Sequence, residues 1–161
     1  MNVVITNRQR AKKINLRLLK KISGALLAEL GVEQAEIGIC LVAAPEMTRL
    51  NETFLRHAGS TDVITFDYAA PKTRTRNPHP EIHGEIFVCV DEAVLQARKF
   101  GTNWQSEIVR YLVHGTLHLL GFDDASAGAR RKMKPEEERR LAGLSRRFSL
   151  AQLSHPARIS A

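Results

Sequence analysis

The chain reads as an α+β domain in which a single small mixed sheet of about four strands packs against helices. Two observations carry this reading. Four short runs rich in β-branched and apolar residues lie between stretches whose apolar residues recur at helical spacing. The chain is 161 residues long, room for one ordinary domain and too little for two. Helices mixed with so few strands can bury their apolar faces together on one sheet.

Residues 3–6 predict a short first strand. From residue 9 to 30 the apolar residues Ile14, Leu18, Leu19, Ile22, Leu26, Leu27 and Leu30 follow helical spacing, and Gly31 supplies the stop. Lys12, Lys13, Arg17, Lys20 and Lys21 fill much of the remaining surface of that helix. Residues 35–43 predict a buried strand. Pro45 then opens a helix to about Arg56, carrying Met47, Leu50, Phe54 and Leu55. Residues 62–66 predict a third strand. The stretch 69–82 holds Pro71, Pro78 and Pro80 with Lys72, Arg74 and Arg76, which predicts a mobile basic loop. Residues 86–90 predict the fourth strand, and Asp91 is the expected cap of a helix to Phe100. After a turn at 101–103, a helix is expected from about Trp104 to Leu120. Residues 121–127 form a loop, and 128–147 are mostly helix, restarted at Pro135. The domain is expected to span 1–148, with a basic disordered tail over 149–161.

Composition excludes several classes. The apolar fraction of 43% is ordinary for a globular domain, and a chain of this length can bury a core without disulfides or metals. Any metal is then expected to serve chemistry rather than folding. Cys40 and Cys89 sit inside apolar runs and read as buried thiols. The apolar run 3–5 is too short for a signal peptide, and no stretch approaches the ~20 apolar residues of a membrane span. A soluble cytoplasmic protein is expected. The formal charge of +7 is uneven. Residues 1–21 carry seven Lys or Arg and no acid, and residues 139–161 carry five Arg and no acid. The stretch between them is net −5. Cationic ends suit a phosphate backbone, which points to nucleic acid as partner.

The chemistry concentrates in His114-Gly115-Thr116-Leu117-His118, followed by Gly121 and Asp124. Two histidines four apart on a helix leave the same face. Gly121 stops the helix and lets the chain turn back, which brings Asp124 within reach as a third donor. Asp123 adjoins it and is the alternative, which the spacing disfavours. Two imidazoles and a carboxylate suit zinc, one ion per chain, and three protein donors leave a fourth position open to water or substrate. In zinc peptidases that use such a helix, a glutamate after the first histidine acts as general base. Gly115 occupies that place here, which weakens a peptidase reading. His57, His79, His83 and His155 lack ligand spacing.

These residues resemble the YbeY family of bacterial metal-dependent endoribonucleases. The hallmark is His114 to Asp123, followed in most members by a third histidine where this chain has Asp124. Residues 50–56 resemble the family's helix ending in a functional arginine, here Arg56. Residues 60–66 resemble its Thr-Asp-Val strand, and 83–88 its Gly-Asp-Ile strand, with Glu85 for the aspartate. The likeness covers about residues 2–147. It implies cleavage of single-stranded RNA in the maturation of small-subunit ribosomal RNA and in ribosome quality control. The small ribosomal subunit and its proteins would be partners. His114 and Arg56 would be the catalytic residues, since a guanidinium forks onto two phosphate oxygens. Arg56, Lys72, Arg74 and Arg76 would hold the RNA. A zinc peptidase and a non-catalytic ribosome assembly factor are the competing expectations.

Overall fold

In the computed structural model, residues 1–69 and 80–155 are described. Strands β1 (Asn2–Asn7), β2 (Gln34–Val42), β3 (Val63–Asp67) and β4 (Glu81–Cys89) form one sheet in the order β1-β2-β4-β3. β1, β2 and β4 run parallel, and β3 is antiparallel on the edge. The expected α+β class and the strand count both hold.

The sheet is covered unequally. Helices α1 (Leu16–Glu29), α4 (Trp104–Leu119) and α5 (Ala127–Arg147) build the larger core with one face, around Ile37, Ile39, Leu41, Ile86 and Val88. On the other face Met47 of α2 (Ala44–Leu50) packs with Cys40, Val42, Ile64, Phe87 and Cys89. Residues 34–38 and 81–85 therefore alternate between open and buried, whereas 39–42 and 86–89 are buried on both faces. The two cysteines are free, buried thiols, as their apolar surroundings predict.

The expected boundaries shift where tertiary contacts outweigh local pattern. The first helix begins at Leu16, not near residue 9, because Asn15 caps it by accepting from the Leu18 amide at 3.0 Å. Upstream, the Gln9 side chain bonds Asn7 and the Lys12 backbone and satisfies a loop instead. β4 starts five residues before the expected 86, because residues 81–85 gain their partners from β2 and β3 rather than from their own polar pattern. Asp91 does not cap its own helix α3 (Val90–Phe100). Its carboxylate accepts from the Ala44 amide at 2.6 Å and so caps α2, 47 residues away. Pro135 lies inside α5 without interrupting it. The tail expected from residue 149 is replaced, over the described residues, by a 3-10 helix at Leu150–Ser154. Leu150 and Leu153 bury their side chains in the core, and the Leu153 carbonyl accepts from Asn15 at 2.7 Å. Apolar side chains at 150 and 153 carry more weight there than the basic composition.

α2 runs on into a π-helical turn at Asn51–Leu55, closed by Arg56 in the left-handed conformation, φ +56°. No helix among the described residues is long and apolar enough to cross a membrane.

Candidate metal centre

Helix α4 positions the site by what it buries. Asn103 caps its start, accepting from the Ser106 amide at 2.9 Å. From Glu107 to Leu119 every residue is buried except Arg110, His114 and His118. These three are four apart, so they form one stripe along the single face that no other element covers completely. About 100° round the helix from that stripe, Gly115 lies against the sheet. A β-carbon there would come within 2.8 Å of Ile86 Cγ2 and 3.2 Å of Thr65 Cγ2. The glycine thus lets the helix sit close to β3 and β4.

The end of α4 builds the rest. Gly121 takes φ +102°. Its amide donates to the His118 carbonyl at 2.9 Å, and the Phe122 amide donates to the Leu117 carbonyl at 3.0 Å. This is the glycine-terminated double bond that closes a helix and reverses the chain. The reversal presents the Phe122 carbonyl to His118 Nδ1 at 3.0 Å. A carbonyl only accepts, so Nδ1 carries the proton and Nε2 faces the site. Two residues on, Asp124 returns over the histidines.

The three side chains meet closely. The two Nε2 atoms are 3.0 Å apart, and Asp124 Oδ2 is 3.5 Å from each. Donors held about 2.0–2.1 Å from a tetrahedral zinc ion sit about 3.3–3.4 Å from one another, so this triangle fits one small cation. Among the described residues, this is the group of three His, Cys, Asp or Glu side chains that could hold a metal. Asp123 is turned elsewhere, its Oδ1 accepting from the Ala125 amide at 3.0 Å. Asp124 is thus the acid whose carboxylate faces the histidines.

A fourth residue, not expected from the sequence, completes the surroundings. Glu137 of α5 places Oε1 2.6 Å from His114 Nδ1 and is only 4% exposed. Arg110 and Lys134 flank the same carboxylate, each at 3.4 Å. Burial works to lower the His114 pKa, but the hydrogen bond and charge of Glu137, aided by Asp124 and Asp62, outweigh it and raise the value. Burial likewise works to raise the Glu137 pKa, and His114 and Lys134 bring it below the usual range. Without a metal a proton is therefore favoured among these groups, and metal and proton compete for the same lone pairs. Glu137 had a detectable signal: it lies in the buried stripe Met133, Glu137, Leu141, Leu144 of α5, where an apolar residue is the ordinary occupant.

A cavity of about 310 Å³ opens beside the donors, bounded by Asp62, Tyr111, His114, Asp124, Arg130 and Met133 among others. Arg130 donates to the Asp124 carbonyl at 3.1 Å. Arg56 is exposed and does not line this cavity. Lys72, Arg74, Arg76 and His79 lie outside the described residues. His57, His83 and His155 are exposed and are not part of the three-donor group. Part of the basic character at the C-terminal end is internally matched. Arg139 and Arg140 pair with Glu136, and Arg147 reaches Glu29.

The chain is similar to known proteins in sequence and in fold. A family model described as Endoribonuclease YbeY matches residues 4–145. A Chlorobium phaeovibrioides protein named Endoribonuclease YbeY is 34% identical over 123 residues, 76% of this chain and 78% of that protein. A Geobacter sulfurreducens protein of the same name is 31% identical over 141 residues, 86% and 93% of the two chains. The solution structure of a Thermotoga maritima protein superposes with a TM-score of 0.65 over 99% of both chains at 20% identity, a likeness of fold.

Proposed function

The chain belongs to the Endoribonuclease YbeY family, and on that basis we propose how it works: as a metal-dependent endoribonuclease of ribosomal RNA processing that holds one zinc ion between His114, His118 and Asp124. The observation that carries the proposal is the convergence of two Nε2 atoms and one carboxylate oxygen within 3.5 Å of one another on the open face of α4. Bound zinc would supply Lewis-acid stabilisation to a phosphodiester gaining negative charge. The substrate is single-stranded RNA, and small-subunit ribosomal RNA with its proteins is the setting in which it is met. That setting places the protein in the cytoplasm.

The chain's own residues divide the remaining work. His114 and His118 present Nε2 because Glu137 and the Phe122 carbonyl occupy the other ring nitrogens. Arg130 borders the cavity beside His114 and offers a cation to a phosphate there. Arg56 is the further phosphate contact that the family likeness suggests. It is the one non-glycine with positive φ among the described residues. A left-handed arginine costs about 1 kcal/mol or more, and such strain clusters at functional sites. Lys72, Arg74 and Arg76 are the further cations proposed to hold the RNA backbone.

Two experiments test the assignment. Zinc content by mass spectrometry of native protein should be one ion per chain. Asp124→Ala is expected to lose it and Asp123→Ala to keep it, and retained zinc in Asp124→Ala would reassign the third donor. Arg56→Gly suits the left-handed backbone, so its unfolding midpoint should not fall. Its cleavage of a single-stranded RNA should drop about 10²-fold, the usual cost of one transition-state donor. Unchanged turnover, or lost zinc, would remove Arg56 from the role given to it.

A further inference from the structure

Glu137 is 23 residues from His114 in sequence and belongs to a different helix, yet its carboxylate makes a shorter contact with the ring than any donor does. Glutamate is expensive to bury, and this one is held among Met133, Leu141 and Leu144 on the inward stripe of α5. Its neighbour Glu138 carries the same charge and also pairs with Arg110 and Lys134, but it is half exposed and does not touch His114. Neutralising Arg110 and Lys134 therefore does not require a buried acid at 137. What only Glu137 does is accept from His114 Nδ1.

That bond decides which nitrogen His114 offers. A free neutral imidazole can carry its proton on either nitrogen, and only a lone pair on Nε2 faces His118 and Asp124. An acceptor at Nδ1 fixes the proton there, orients the ring and makes Nε2 a stronger donor. His118 receives the same service from a backbone carbonyl, which is neutral. The two rings are thus unequal: one is backed by a charge and one by a dipole. Glu137 and Asp124 address different nitrogens of the same ring, the first Nδ1 and the second Nε2.

We propose that Glu137 is a positioning residue that locks His114 in the Nδ1–H form and thereby sets the metal affinity of the site. The inference rests on the three-donor metal centre proposed above. It is tested on the full-length chain with zinc alone, by competition against a chromophoric chelator, and by long-range ¹H–¹⁵N NMR of the metal-free protein above the titration of the His114 ring. Glu137→Gln should weaken zinc binding about 10–100-fold, the range seen when such outer partners are removed. Glu138→Gln, which removes an equal charge beside the same cations, should change it less than twofold. The NMR spectrum should show His114 protonated at Nδ1 in the native chain and shifted toward the Nε2–H form in Glu137→Gln.

Three results would overturn the proposal: native His114 protonated at Nε2, zinc affinity unchanged in Glu137→Gln, or an equal loss in Glu138→Gln. The first needs no variant, so a Glu137→Gln chain that fails to fold leaves the question decidable. A native chain that takes up no zinc would refute the metal centre instead, and the tautomer measurement would still decide the role of Glu137.

Discussion

Replacing His114 by alanine is expected to strip the protein of its metal and to lower RNA cleavage by about 10²–10⁴-fold, the worth of several kcal/mol of charge stabilisation at the transition state. The fold should survive. His114 is one of the three positions between Glu107 and Leu119 that α4 leaves partly open, so its loss opens no closed cavity in the core. Glu137 loses a partner but keeps Arg110 and Lys134 beside it. The carboxylate is therefore not stranded as an unpaired buried charge, the case that costs most. Circular dichroism and the unfolding midpoint should stay near those of the native chain while zinc content and turnover collapse together. Full ribosomal RNA maturation in cells carrying His114→Ala would show that the metal is not catalytic. Cleavage of RNA but not casein, lost with a chelator and restored by zinc, is the matching result for the native protein.

The centre was legible in the sequence to the extent that it is local. His114, His118, Gly121 and Asp124 lie within eleven consecutive residues. A helix followed by a glycine reversal has few geometries, so spacing alone brings three donors to one point. The choice between Asp123 and Asp124 followed from the same turn, since the two acids point to different partners across it. Glu137 could be marked as an acid on an apolar stripe, but its pairing with His114 was out of reach for the opposite reason. Which residue of α5 meets His114 depends on how two helices cross, and that crossing is set by the whole core. Asp91 repeats the lesson. Its offset suggested a local cap, and a contact 47 residues away claimed its carboxylate instead. The first half of β4 and the 3-10 helix after residue 149 are likewise made by partners distant in sequence, so neither local pattern nor charge announced them. The proposed role of Arg56 rests on the family likeness and not on spacing. Arg56 stands on an exposed turn where local chemistry alone gives no reason to choose it.

Gly115→Glu is expected to be the most destabilising single change at this site, and the reason bears on why the protein cleaves RNA rather than peptides. Zinc peptidases built on a similar helix carry a glutamate after the first histidine. In this chain that position does not face the metal cavity. It faces the sheet, where even one added carbon would meet Ile86 at 2.8 Å and Thr65 at 3.2 Å. A methyl group alone should cost about 1–3 kcal/mol, because the contacting atoms belong to β-branched side chains with little freedom to turn away. A glutamate adds one further methylene and a carboxylate set against Ile86, itself wholly buried. Taking an unpaired carboxylate out of water adds several kcal/mol more, or forces the helix off the sheet. The sum is comparable to the 5–15 kcal/mol that holds an ordinary domain together. Gly115→Ala should lower the urea midpoint measurably and keep zinc. Gly115→Glu should be largely unfolded at 37 °C and should gain no casein cleavage. A Gly115→Glu chain as stable as the native one would show that α4 can stand away from the sheet. The glycine would then be a matter of chemistry alone. If the expected result is found, the close seat of α4 on β3 and β4 itself excludes the peptidase base, and the site is left to act through its three donors and the cations around its cavity.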